Sequence, residues 1–554
     1  MMMDSRNDLI ASLMIKPKEH EAQLPCRVLL AASFSGNSDP GLDNRPDNGN
    51  RLFRQIMLNR ERPEQAMAEL NCAVDFSAVM PEWQETYQIR QLDDFHPSVL
   101  IRRSPVLSQG VKLRDRLLAD TQPSEQLLSE SRDFLDRYSA LEREQLADDF
   151  LYADLEVCLS DLLSQLLHFP PFTQLESLWR QLYALCESVR YHNASEIVLL
   201  DCTKEDLAED LSGEMIQSEL YERVYTDEFG QFGGQPFNVL VVDFYVEQTE
   251  QDLSLLEALS DIGRSAHLPV VLPVSPGFIG FNRYEQLFGQ SLDEWFETPR
   301  FMPLHRLAAR PQSRYLFLVM PDQVVRAPYK GDFSGLFFQE QLDAEGLSLL
   351  WGSSCYSLAA TVLNTFNSQT SFSQMTGSFY GRELLHKAWQ DPQADLELSP
   401  LKVELPASLI TDLSRHGFCV LSPLPEEGSS YFAQLNSFHQ LSLDDGQVVP
   451  DAQLPFLLTV CRIAHMMKRV FREQIGSIDE PEQLRQKLEQ WLKSFVVDLE
   501  APALDVMMKK PFRQAEVILR QAEGCLMEVR LQPHLRYMDE RFQLSLDLIL
   551  QETV

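Results

Sequence analysis

What this chain lacks narrows its role before any residue is singled out. Basic residues are scarce, with 48 Lys and Arg against 82 Asp and Glu, a net charge of −34. Phosphate binding draws its affinity from Lys and Arg displacing counterions, so a chain this acidic opposes DNA and RNA as partners. The nine cysteines never fall at CxxC spacing and their number is odd, so reduced thiols buried in cores are the expectation. No apolar run reaches the roughly 18 residues that cross a bilayer. Met1 to Ile10 carries Asp4, Arg6 and Asp8 in place of the apolar stretch of a signal peptide. These absences together predict a cytoplasmic chain with no membrane insertion.

Apolar material is plentiful. Hydrophobic residues make up 44% and aromatics 10% of 554 residues, enough for packed cores. Single cores stop growing near roughly 250–300 residues, so more than one domain is expected. The charge is uneven: residues 1–120 hold 15 Lys/Arg against 17 Asp/Glu, leaving −32 on the rest. Such a surface serves solubility or selects partners electrostatically.

Patterning divides the chain into a 1–24 tail, a small α+β unit at 25–120, an acidic helical linker at 121–149, an α/β domain at 150–400 and a C-terminal domain at 401–554. In the small unit, Arg27 to Gly36 reads as a strand ending at a glycine, and 37–50 as a loop rich in Gly, Pro, Asn and Asp. A helix is predicted over 63–70, a strand over 83–92 and a helix over 107–118. Leu127, Phe134, Leu135 and Tyr138 give 121–149 helical spacing, either as a linker or as an amphipathic helix packed locally. Leu155, Leu159, Leu162 and Leu166 mark one buried helix face; Leu175, Leu178, Trp179, Leu182 and Leu185 mark another. Apolar strands at 196–200, 238–242 and 270–274 alternate with helices, which implies a sheet covered on both faces. Residues 322–350 and 367–400 read as excursions from that core. A strong helix at 454–471 and another at 481–496 follow. Three strands close the chain, at 515–520, 525–531 and 541–550. In the last, Phe542, Leu544, Leu546, Leu548 and Leu550 alternate with Gln543, Ser545 and Asp547.

Asp201 and Asp243 both follow apolar strands, where α/β sheets bind ligands, so a metal-dependent enzyme using the pair is one reading. An Asp at such a position is also an ordinary turn former or helix cap. Gly230, Gly233 and Gly234 lack GxGxxG spacing and precede a strand, so they suit a tight turn anchored by Phe229, Phe232 and Phe237, not a phosphate loop. Arg462, His465, Arg469 and Arg472 recur at i, i+3, i+7 and i+10 beside Lys468. That spacing makes either a solvated helix face or a basic stripe facing a partner subunit, while His465 by itself, on a mostly apolar helix, reads as a satisfied packing residue.

Several of these segments resemble the large subunit of the type VI secretion contractile sheath over about residues 146–554. They are the helix opening at Phe172-Thr173-Gln174-Leu175, the segment Asp227 to Phe237 with Gln231-Phe232-Gly233-Gly234-Gln235-Pro236 within it, Arg462-Ile463-Ala464-His465, and the closing strands. Ala32-Ser33-Phe34-Ser35-Gly36, with Ser33 where an Asp is usual, and Asp93-Asp94-Phe95-His96-Pro97 resemble elements of the small sheath subunit. The resemblance implies a multidomain α/β and α+β protomer in which a small-subunit segment is fused ahead of the large one.

It also implies a structural protein with no catalytic residues and no cofactor. Such protomers form a helical homopolymer around an Hcp-type inner tube, nucleated on baseplate proteins, and are dismantled by an AAA+ unfoldase of the ClpV type. Gly230, Phe232, Gly233, Gly234 and Pro236 would then form a structural loop. Val517, Leu519, Met527, Val529, Phe542, Leu544, Leu546 and Leu548 would mark strands that join neighbouring protomers by β-augmentation.

Overall fold

Uninterrupted apolar strands require cover on both faces, and the computed structural model of this chain is built around one such sheet. It describes residues 25–36, 52–119, 123–139, 151–190, 194–231, 233–341, 348–369, 372, 375–376, 401–424, 429–442, 452–474, 481–499, 502, 506, 510, 512–522, 524–533 and 544–550. Eight strands form the sheet: β1 (Cys26–Ala32), β2 (Arg54–Met57), β3 (Ser195–Asp201), β4 (Val239–Val242), β5 (Val270–Pro273), β6 (Leu316–Met320), β7 (Phe418–Leu424) and β8 (Ser429–Phe432). They lie in the order β8-β7-β6-β5-β4-β1-β3-β2. The inner pairings are parallel, and only the edge strands β2 and β8 run antiparallel to their neighbours.

Alternation along each strand divides the core in two. Val28 and Leu30 of β1 join Ile197, Leu199, Val239 and Val241 on one face. Leu29 and Ala31 join Val198, Leu200, Leu240 and Val242 on the other. The first face is covered by α1 (Pro105–Ala119), α2 (Glu125–Tyr138), α3 (Leu151–Leu167), α4 (Pro170–Val189) and, further along the chain, α6 (Cys355–Gln369). Against the second lies α5 (Glu250–Ala266), through Leu255, Leu256, Leu259 and Ile262.

Three expected boundaries move. Residues 25–120 do not stand apart: β1 is threaded between β3 and β4, and Met67, Phe76, Phe95 and Leu107 share a core with α3 and α4. Within 121–149 the described residues form α2, whose Leu127, Phe134 and Leu135 are buried in that same core, the locally packed helix of the two readings; residues 140–149 lie outside the described residues. The α/β domain runs past residue 400, since β7 and β8 complete its sheet. The predicted strand over 83–92 shrinks to Tyr87–Gln88, paired with Ala73–Val74. Within the predicted excursion at 322–350 lies a hairpin, Lys330–Phe333 with Leu336–Gln339; residues 377–400 lie outside the described residues.

A second sheet closes the chain. It consists of β9 (Phe512–Ala522), β10 (Gly524–Pro533) and β11 (Leu544–Leu550), antiparallel in sequence order. A small third core joins it to α7 (Leu454–Gln474) and α8 (Pro481–Lys493): Ile463, Met467, Leu488, Leu492, Phe512, Val517, Val529 and Leu531. The N-terminal half of α7 belongs elsewhere, with Leu454, Leu457, Leu458 and Cys461 in the first core of the large sheet. One helix therefore shares two cores. No helix among the described residues is long and apolar enough to cross a membrane, and the eight cysteines whose side chains are described, all but Cys525, are buried and free.

Candidate functional site

Asp201 and Asp243 end β3 and β4, the strands on either side of β1, yet each carboxylate is already engaged. The Ser35 backbone N–H donates to Asp201 Oδ1 at 2.9 Å, closing the turn after β1. The helix that follows β3 is capped by Thr203, whose hydroxyl accepts from the Asp206 N–H while Asp206 accepts in return. Asp201 is thus a turn residue and Thr203 the cap.

The Ser353 hydroxyl donates to Asp243 Oδ1 at 2.7 Å. Burial pushes the Asp243 carboxyl up to about 6. It lines a cavity of about 580 Å³ whose walls mix Leu175, Leu178 and Trp351 with Gln181 and Lys204. Among the described residues no group of three His, Cys, Asp or Glu side chains comes together as a metal site, and nothing joins Asp201 to Asp243 in one constellation.

The glycine segment follows a nine-residue π-helical stretch, Glu222–Gly230. Its wide turn brings Tyr221, Tyr225 and Phe229 into a ladder with centroids 5.0 and 5.2 Å apart. Gly233 turns the chain at φ +91°, and a Cβ on Gly234 would lie 2.8 Å from the Asp227 carbonyl oxygen. The Gln235 N–H donates to Glu228 Oε2 at 2.6 Å, and Pro236 and Phe237 are buried. Gly230 ends the π-helical stretch; Phe232 lies outside the described residues. The turn feeds β4.

The basic stripe on α7 is a correction. Arg462 is buried, with its guanidinium 4.3 Å over the Phe366 ring, and burial pulls its pKa down to about 10. His465 is 1% exposed and donates from Nε2 to the Ala266 carbonyl at 3.0 Å; burial drives its pKa to about 3, so it is neutral. Lys468 sits 4.5 Å from the Phe229 ring and 4.9 Å from Tyr225. Arg462 and His465 therefore face the chain's own core and not a partner. Arg469 is half-buried, and Arg472 lies on the helix with its side chain outside the described ones. Helical spacing alone could not reveal this, because the satisfying groups come from residues 199 positions away in the case of Ala266.

In the terminal sheet the register sets Val517 opposite Val529 and Val529 opposite Leu546; Leu519 faces Met527, which faces Leu548. Val517 and Val529 are buried in the third core, so they hold the sheet to α7 and α8. Leu544 pairs with Leu531; Phe542 lies outside the described residues. Among the described residues β11 is paired on one side only, which leaves a row of backbone groups at the sheet's edge.

Sequence reasoning missed a buried ion network on the first face. Arg326 bridges Glu176 of α4 at 2.8 Å and Glu340 at 2.7 Å, and Arg180 reaches Glu176 at 2.7 Å. Burial works against the Glu340 charge, but hydrogen bonds from His168 and Arg326 outweigh it and hold the carboxyl down to about 2. Glu176 and Arg180 form a local i, i+4 pair, but Arg326 lies 150 positions from Glu176, and no local motif announces that they meet.

These features describe an α/β body with an appended sheet whose last strand is paired on one side among the described residues. The comparisons supply the class. The family model for the EvpB/VC_A0108 tail sheath N-terminal domain matches residues 149–439, and that for the EvpB/VC_A0108 tail sheath gpW/gp25-like domain matches residues 446–550. The chain belongs to this tail sheath family and is a structural subunit of a contractile sheath. It is 28% identical over 396 residues to the type VI secretion system sheath protein TssC1 of Pseudomonas aeruginosa, covering 68% of this chain and 79% of that protein. Solved structures with partial likeness include the anti-feeding prophage baseplate, at 8% identity, 67% and 77% coverage and a TM-score of 0.35. A sheath tail protein from Desulfitobacterium hafniense has 10% identity, 65% and 62% coverage and a TM-score of 0.34.

Proposed function

We propose that the chain is a type VI secretion sheath protomer in which the segment 25–120 does in cis what a separate small subunit does elsewhere. One observation carries this reading. The family match begins at residue 149, yet within the matched region β3 and β4 are not neighbours, and β1, from outside the match, lies hydrogen-bonded between them. A sheet built from the matched region alone would lack a central strand, so that strand has to be delivered by another segment or another chain.

Such protomers polymerise in the cytoplasm around an Hcp-type inner tube, start from baseplate proteins and are recycled by an AAA+ unfoldase. The terminal strands join neighbours through the backbone edge of β11, because the side chains of Val517 and Val529 are committed to their own core. Contraction requires no cofactor, since its energy is stored as a difference between two packings of the same lattice.

Negative-stain imaging of the purified chain with and without its inner tube tests the proposal. Tubes or cog-like rings are expected without any added small subunit. A particle that stays monomeric beside the tube would sink the polymer reading, and tubes that form only after a separate small subunit is added would sink the fusion.

A further inference from the structure

The glycine segment before β4 holds a guest. Arg27, the second residue of β1, is only 6% exposed. Its Nη1 donates to the Gln235 carbonyl and lies 3.0 Å from Glu228 Oε1. The guanidinium carbon stands 4.3 Å over the Phe237 ring. Nε is 3.0 Å from Glu196 Oε2 of β3, an ion pair without a hydrogen bond. The backbone is fixed at the same residue: Arg27 N–H donates to Asn238 Oδ1 at 2.9 Å, and Asn238 N–H donates to the Arg27 carbonyl at 2.8 Å.

We infer that Glu228, Gln235, Phe237 and Asn238 form a recognition site for an arginine carried on an inserting β-strand, and that Arg27 decides where β1 enters the sheet. The partner that fits is a parallel apolar strand with an arginine beside its N-terminal end. That class of partner rests on the proposed equivalence of residues 25–120 to a small subunit.

The need for such a key follows from the strand itself. After Arg27, β1 reads Val28-Leu29-Leu30-Ala31-Ala32 and is buried on both faces, so its apolar side chains specify register weakly. A slip of two residues keeps each side chain on its face but shifts it by roughly 7 Å. Arg27 would then occupy the place of Leu29, which is fully buried among Val198, Leu240 and Val242. The wrong register buries an unpaired cation and leaves Glu228, itself 8% exposed, without its partner. The site is preformed, because the Gln235 N–H holds the Glu228 carboxylate and Gly234 lets the turn close against it. A planar guanidinium meets the carbonyl, both carboxylates and the ring together; an ammonium has no such fork.

The test uses the full chain with a specific protease sequence placed within residues 140–150, cleaved after folding and purification. Two quantities are read: the rate at which the N-terminal piece leaves, by native mass spectrometry, and hydrogen-exchange protection of the Val28–Ala32 amides. The wild-type pieces are expected to stay together. In Arg27→Leu and in Glu228→Gln the piece should leave at least about tenfold faster, with β1 protection reduced. Arg27→Lys, which keeps the charge, should fall between them and carries the comparison if Arg27→Leu does not fold. Equal retention and equal protection in wild type, Arg27→Lys and whichever of Arg27→Leu and Glu228→Gln folds would overturn the inference, as would wild-type pieces that separate at once. A requirement for a separate small subunit in tube formation would overturn the fusion reading while leaving the retention result unchanged.

Discussion

The two sheets of this molecule solve opposite problems. The eight-stranded sheet is covered on both faces by two large cores that draw on residues from Cys26 to Cys461. Among the described residues the three-stranded sheet rests on a core of eight residues from Ile463 to Leu531, and its last strand is paired on one side. The first is a body that keeps its shape through many long-range contacts. The second, with fewer described contacts, is the one that suits the proposed lattice joint.

The widest gap between them should appear on truncating Trp179. Its ring is fully buried edge-on to Phe34 at 5.9 Å, and Nε1 donates to the Phe34 carbonyl at 3.0 Å. Trp179→Ala should cost about 3–5 kcal/mol, lowering the main denaturation midpoint followed by tryptophan-independent circular dichroism.

Next in size, Arg326→Leu leaves buried Glu340 without its guanidinium and Glu176 with Arg180 alone, at about 3 kcal/mol. The loss should appear at pH 7 and diminish in acid. Glu340 is held below its usual value of 4.5, so its pairing stabilises the fold above that value and fades as pH falls towards 2.

In the small sheet, Leu531→Ala should cost about 2 kcal/mol. Hydrogen exchange should show β9 to β11 opening while β3 to β6 stay protected; equal loss in both sheets would break the contrast drawn here.

The smallest effect concerns Asp243. Its folded-state pKa of about 6 lies above the usual 3.8, so the stabilisation it brings is complete below 3.8 and is lost as pH rises through 6. Asp243→Asn should match wild type near pH 4 and melt slightly higher at pH 8, by thermal denaturation at both pH values.

Much of this layout is legible in the chain. Val239–Val242 and Val270–Pro273 read as covered strands because nothing polar interrupts them. The alternation from Leu544 to Leu550 reads as a strand, and the backbone there is β11. The position of β1 is not legible, because parallel pairing joins Cys26 to Ser195 with no turn to announce it. Arg462 misleads for a related reason: it looks solvent-facing until Phe366 is brought to it by the fold, whereas His465 on its mostly apolar helix reads as a packing residue and is held by the Ala266 carbonyl. The role of Asp201 is open in sequence for the same cause, its partner being the Ser35 amide 166 positions away, just past the end of the neighbouring strand.

The shared helix α7 decides how force would travel through such a chain. Leu457 and Cys461 are seated in the large body and Ile463 and Met467 in the small one, with unbroken helix between them. If the terminal strands join neighbours as proposed, a tug on them would reach the eight-stranded sheet through the side chains packed along one continuous helix, so the two sheets would be pulled as a unit.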